Sequence, residues 1–257
     1  MGHPHGLFGW AGVAVMDMEV GESFYKGLFG WEAMKTPGES IPYTIFTLDG
    51  EPVAGMGLLA PEDLGAGQPP AWSSYVIVDD VDLVAAKAKA LGAMLLTEPM
   101  EIPDAGKTFF ANDPAGAVVG FWEPGQFGGA GVFNVPGAMS WNELGCRDVE
   151  AAKAFYTELL GWGVDVQEHD GFVYTVVKVG DRMNGGIYDM TGILPDEIPA
   201  HWFVWFTVAD ADASAERAMS LGAKIERAPW DTMFGRMAVI SDPQGPTFGI
   251  VQTPESE

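Results

Sequence analysis

Basic residues, cysteine, histidine and long apolar runs are all scarce in this chain, and each scarcity removes a class of function. Lys and Arg number 13 against 36 Asp and Glu, a formal net charge of −23 over 257 residues. A chain this acidic is repelled by phosphate backbones and anionic lipid, so no nucleic-acid and no membrane partner is expected. Cys146 is the single cysteine; it permits no intrachain disulfide and fits a reducing compartment. It stands in an apolar strand-like run, where inert packing is the expectation. No apolar run reaches membrane-spanning length and no basic stretch precedes an apolar one at the start, which points to a cytoplasmic protein. Of the four histidines, His3 and His5 lie in a short Gly/Pro-rich opening that reads as a frayed terminus. His169 sits beside Glu168 and Asp170 in an expected loop, and His201 reads as a solvated residue near a strand start. No Gly-x-Ser-x-Gly, no paired Cys and His and no phosphate loop is present.

Aromatic residues are in surplus at 12%, nine of them Trp, and aromatic-lined clefts for flat organic ligands are one use of such a surplus. The chain also repeats itself. Trp10…Asp17…Phe24-Tyr25…Gly30-Trp31 returns 131 positions later as Trp141…Asp148…Phe155-Tyr156…Gly161-Trp162. Trp72…Asp80…Leu91-Gly92-Ala93 returns at an offset of 130, and Gly106-Lys107…Asp113-Pro114…Gly116 at 129. A period this long is a duplicated domain.

Each half divides again. Residues 7–17 and 138–148 read as strands, and 18–30 and 149–161 as helices with Asp17 and Asp148 as N-caps and Gly30 and Gly161 closing them. Strands follow at Tyr43–Leu48, Val53–Leu59, Phe172–Val179 and Met183–Met190. The second and fourth modules repeat the plan, with strands at Ser73–Val78 and Phe203–Val208 before helices at Val81–Leu91 and Ala211–Leu221. The reading is an α+β chain of two domains, 6–123 (modules 6–60 and 71–123) and 138–253 (modules 138–190 and 201–253). The Gly-rich stretch 124–137 joins them as a linker. Which modules pair is left open.

The run Asp-x-x-x-(Ala/Glu)-x-(Ala/Ser)-Phe-Tyr-x-x-Leu-(Leu/Phe)-Gly-Trp, with a downstream Asp-Pro-x-Gly-x-x-x-Gly, resembles the vicinal-oxygen-chelate superfamily of glyoxalase and bleomycin-resistance domains. Within it the chain is similar to tandem two-domain actinobacterial proteins, some of them labelled hydroxylases through aromatic polyketide pathways. The resemblance covers roughly residues 7–252 and implies βαβββ modules whose curled mixed sheets form a cleft. It also implies where metal ligands would stand: at Trp10, Ser73 and Gly120 in one half, and at Trp141, Phe203 and Gly249 in the other. Trp, Phe and Gly supply no ligand atom and a lone Ser is a poor one. A further ligand position falls within Gly55–Leu59 and Gly185–Met190, where Asp189 is the one candidate carboxylate. No metal and no cofactor is expected.

Strand alternation places Trp10, Tyr75 and Trp122 on the first cleft face, and Trp141, Glu143, Phe203 and Trp205 on the second. Tyr188 and Arg236 are further ligand-binding candidates. These rings either stack on a planar ligand or fill the trough themselves. Glu143 stands where the first copy has Gly12. Among aromatic rings its carboxyl is either a general acid or base with a raised pKa, or a structural partner of Arg236, Lys178 or a backbone donor. The leading expectation is metal-independent binding of a hydrophobic, aromatic small molecule. The alternative is a metal-independent isomerase, cyclase or hydroxylase-type enzyme using Glu143, and a metal-dependent glyoxalase or dioxygenase stands third. A monomer and a homodimer are equally compatible with the sequence.

Overall fold

The computed structural model describes residues 2–36, 42–60, 65, 68–169 and 171–254. Each module opens with a strand that leads into a helix: β1 (Phe8–Val15) into α1 (Met18–Phe29), β5 (Ala71–Ile77) into α2 (Val81–Ala90), β10 (Met139–Cys146) into α3 (Val149–Leu160) and β14 (His201–Thr207) into α4 (Ala211–Ser220). The helices begin at those points because Asp17, Asp80, Asp148 and Asp210 accept from N–H groups of the first turn. Each such cap contributes about 1 kcal/mol. α1 and α3 stop at Gly30 and Gly161, whose φ of 73° and 70° favours glycine.

The other strands are β2 (Glu32–Lys35), β3 (Tyr43–Leu48), β4 (Glu51–Leu58), β6 (Met94–Leu95), β7 (Met100–Ile102), β8 (Gly106–Asn112), β9 (Val118–Pro124), β11 (Gly163–His169), β12 (Phe172–Val179), β13 (Arg182–Asp189), β15 (Lys224–Thr232), β16 (Gly235–Ser241) and β17 (Thr247–Gln252). β2 and β11 are sheet-edge strands that the sequence pattern does not pick out, since neither buries one clean face. His169 therefore ends a strand instead of lying in a loop, and Asp170 lies outside the described residues. Among the described residues no helix is long and apolar enough to cross a membrane.

Hydrogen bonding joins the modules of each half. The first sheet runs β2-β3-β4-β1-β5-β9-β8-β6 with β7 on β8, and the second β11-β12-β13-β10-β14-β17-β16-β15. Compactness groups the modules differently: Met1–Trp10, Ser74–Gly129 and Trp141–Phe203 form unit one, and Ala11–Ser73, Ala130–Ser140 and Val204–Glu257 form unit two. Unit one holds α2 and α3 over a core that includes Val76, Phe109, Phe121, Phe155 and Ile187. Unit two holds α1 and α4 over Val13, Phe24, Phe46, Phe206 and Phe248. Each such side chain contributes roughly 2 kcal/mol by leaving water.

The letters that make the repeat legible turn out to be core chemistry. In unit one the Trp202 indole donates to the Tyr156 hydroxyl at 2.7 Å, which donates to Asp113 at 2.8 Å. In unit two Trp72 donates to Tyr25 at 3.1 Å and Tyr25 to Asp242 at 2.7 Å. Burial is the largest cause pushing both phenols and both carboxyls above their ordinary values. Cys146 is buried in unit one, and burial pushes its thiol up to about 12, which suits inert packing.

The N-terminus departs from the sequence reading. Gly6 donates to the Ile77 carbonyl at 2.8 Å, and its own carbonyl accepts from Trp162 at 2.7 Å and Asn184 at 2.9 Å. His5 accepts from the Asp79 N–H at 3.2 Å. The opening is tied down because Gly6, at φ 83°, turns the chain so that its carbonyl meets two buried donors.

Candidate functional site

Rings lie across two of the positions where the resemblance implies metal ligands, Gly120 and Gly249. Tyr75 on β5 lies opposite Gly120 on β9, and a Cβ on Gly120 would stand 2.6 Å from the Tyr75 ring. Trp205 on β14 lies opposite Gly249 on β17, and there the distance would be 2.0 Å. A ligating glutamate could occupy neither place without displacing a ring. Asp189 is exposed and accepts from the Thr191 N–H at 2.8 Å; bonding to the Thr191 side chain first, and to this N–H second, holds its carboxyl below the usual range. Among the described residues no group of three or more His, Cys, Asp or Glu side chains could hold a metal ion. The side chains at the described positions do not supply the ligand set that the resemblance implies.

In unit one, the first-sheet residues Trp10 and Trp122 are only 3% and 8% exposed. What closes them is Phe127, which the sequence reading places in the linker. Its ring meets Trp10 edge-on at 4.9 Å between centroids and Trp122 at 6.2 Å. The Trp122 indole donates to the Phe127 carbonyl at 3.0 Å. Tyr75 packs edge-on against Phe110 at 5.2 Å. This face is filled by its own side chains.

The third module, also in unit one, is arranged otherwise. Glu143 on β10 lies opposite Gly186 on β13, and Gly145 opposite Tyr188. Tyr174 on β12 crosses Gly186 so closely that a Cβ there would stand 2.0 Å from its hydroxyl. The Trp141 indole donates to that hydroxyl at 2.8 Å, and the hydroxyl donates to Glu143. Tyr174 is buried, which is the largest cause raising its phenol pKa, with the Glu143 charge next. Tyr188 is half-buried, and the same two causes in the same order raise it. Phe172 completes the wall at 6.1 Å from both Tyr174 and Tyr188, and is 42% exposed. Trp141, Glu143 and Tyr188 are half-buried as well. The result is a carboxylate oriented by a phenol on a partly open aromatic face. Phe172 and Tyr174 are absent from the sequence-derived candidates, although alternation along β12 puts both on one face.

Two of the partners expected for Glu143, Lys178 and Arg236, are engaged elsewhere. Lys178 bonds Asp165 at 2.9 Å, and Arg236 bonds Asp231 at 3.0 Å and also Asp212. Those two aspartates claim the guanidinium on a solvent-facing site, so Arg236 does not present itself as an orienting group. Phe203, half-buried, meets His201 edge-on at 6.2 Å. In unit two Trp205 is buried against Trp230 at 6.4 Å, and the Arg227 guanidinium lies 3.6 Å over the Trp230 ring.

Comparison with known proteins agrees with this fold. The model of the Glyoxalase/Bleomycin resistance protein/Dioxygenase superfamily matches residues 7–121 and again 138–250. The chain belongs to that superfamily. It is 38% identical over 251 residues to "Putative glyoxylase CFP32" of Mycobacterium tuberculosis, covering 95% of this chain and 93% of that protein. It is 32% identical over 258 residues to "Anthracycline biosynthesis protein DnrV" of Streptomyces peucetius, covering 96% and 93%. Among solved structures, the Mn(II)-bound glyoxalase of Novosphingobium aromaticivorans superposes with a TM-score of 0.65 at 18% identity, over 97% of this chain and 83% of that one. A catechol 2,3-dioxygenase superposes at 0.64 and 15%, over 99% and 92%. These likenesses to solved structures establish the fold alone.

Proposed function

We propose that this protein binds a planar aromatic small molecule carrying a hydroxyl group, on the third-module face and without a metal. The observation that carries the reading is the Glu143 carboxylate, held by Tyr174 among Trp141, Phe172 and Tyr188 on a partly open surface. Rings of this kind stack on a flat ligand, and a carboxylate accepts a hydrogen bond from its hydroxyl. The net charge of −23 works against anionic ligands. Two Streptomyces relatives carry names that place them in anthracycline biosynthesis, and a flat hydroxylated ligand is in keeping with that context.

The test is titration of chelator-treated protein with 2-naphthol, followed by Trp fluorescence. Glu143→Gln should weaken binding about tenfold, the equivalent of roughly 1.4 kcal/mol, while leaving the weaker binding of naphthalene unchanged. Equal affinity of both proteins for 2-naphthol, or binding that requires added metal, would sink the proposal. A second reading is favoured by the Tyr174–Glu143 bond: the same carboxylate acts as an acid or base on the bound molecule. Loss of turnover with retained binding in Glu143→Gln would select it.

A further inference from the structure

The Trp10–Trp122 face of the first sheet is closed by a ring that comes from outside the sheet. Phe127 meets both indoles, one of which donates to its carbonyl. Its segment follows β9, where the N–H groups of Gly125 and Phe127 share the Ala105 carbonyl as acceptor, at 2.9 and 3.0 Å. Gly125, Gly128 and Gly129 flank the ring; Gly128 has open space around it, where a backbone rotation that a side chain would resist is available, while Gly125 and Gly129 lie close to the Ala105 and Gly9 carbonyls. Phe127 itself is only half-buried, while the indoles beneath it are almost sealed. Beside the segment lies an open depression of about 270 Å³ bordered by Ala105, Gly106, Glu123, Gly125 and Gln126.

We propose that Phe127 is an intramolecular stand-in for a ligand, and that the Trp10–Trp122 face is a second site for a neutral aromatic molecule, reached when residues 125–129 lift. Two indoles offer edges and faces to any flat ring, so what Phe127 satisfies a free aromatic molecule satisfies as well. Apolar space left by one buried ring is known to accept benzene-sized molecules. 129 positions on, the sequence has Ser256, a residue without a ring, which lies outside the described residues.

The probe is indole, measured by calorimetry on a Glu143→Gln background, so that the outcome does not depend on the third-module site. Adding Phe127→Ala should create one indole site at least tenfold tighter than any in the Glu143→Gln parent. Adding Trp122→Ala as well should abolish it. No gain in affinity, or a gain that survives loss of Trp122, overturns the proposal. Hydrogen exchange on the Glu143→Gln chain separates a displaceable ring from a fixed one even if the alanine variant does not fold. Saturating indole should accelerate exchange of the Gly125 and Phe127 amides several-fold while leaving β9 unchanged. Unchanged or slower exchange at those amides would assign Phe127 to ordinary packing.

Discussion

The line Trp202–Tyr156–Asp113 and the line Trp141–Tyr174–Glu143 contain the same groups in the same order, an indole N–H, a phenol and a carboxylate, and both lie in unit one. The first is sealed in the core, where every donor and acceptor is needed to satisfy another. The second lies on a sheet face where the carboxylate and one indole remain half-exposed. Its counterpart in the first module keeps Trp10 and Tyr43 but has Gly12 and Gly57 where the third module has Glu143 and Tyr188. A core line is the same in both copies because the fold needs it. The line present in one copy is the one on which the proposed binding rests.

The largest effect should come from breaking the sealed line. Asp113→Ala strips the buried Tyr156 hydroxyl and the Ala117 N–H of their acceptor, and should cost about 3 kcal/mol. In a chain of this size that lowers the thermal midpoint by roughly 6–12 °C. A melt within a degree or two of wild type would mean that the two lines are not different in kind. Tyr174→Phe, on the open line, should cost only about 1 kcal/mol of stability. The same change should weaken 2-naphthol binding several-fold by releasing Glu143, and a titration with unchanged affinity would detach the phenol from the site.

Acidity sharpens the contrast further. The folded-state pKa values of Asp113 and Asp242 are raised, by burial above all. Their stabilising contribution is therefore complete below the unfolded carboxylate value of about 4 and is lost as pH rises through the folded values. Between neutrality and that limit, acidification should raise the melting midpoint, and less so in Asp113→Asn. Asp165 and Asp212 have lowered pKa values, through bonds to Lys178 and Arg236. They act in the opposite sense, and their contribution is lost as pH falls below the unfolded value. A melt series in which Asp113→Asn tracks wild type would remove Asp113 from this account. The smallest effect should be that of Arg236→Ala, whose partners lie in solvent. Its melting midpoint should stay close to that of wild type, since exposed ion pairs contribute little, with 2-naphthol affinity unaltered; a tenfold loss of that affinity would return Arg236 to the binding site.

Much of the fold was legible because local signals coincide. Asp17 and Asp148 cap helices that Gly30 and Gly161 end, and the apolar spacing between them is helical. The edge strands β2 and β11 were not legible, because half-solvated strands lack a clean alternation. At the candidate site, alternation along β10 selected Glu143 and Trp141. Tyr174 and Phe172 required the pairing of β12 with β13, a register that no local pattern specifies. Arg236 stands out in the sequence because a basic residue recurs there, as Lys107 does after Gly106; that Asp231 on β15 and Asp212 on α4 both bond it follows from the packing of those elements. The opening reads as frayed because nothing nearby in the chain announces Ile77, Trp162 and Asn184 as partners of Gly6, or Asp79 as the partner of His5.

The sequence by itself determined the four-module plan and the superfamily, because the repeated motif and the turn and cap residues are local signals. Tertiary structure alone decided that rings lie across Gly120 and Gly249, that Phe127 fills the first face, and that the cores join modules two with three and one with four. Those outcomes depend on which strands pair and which helices share a core. Such contacts join residues far apart in the chain, so no local propensity or spacing encodes them.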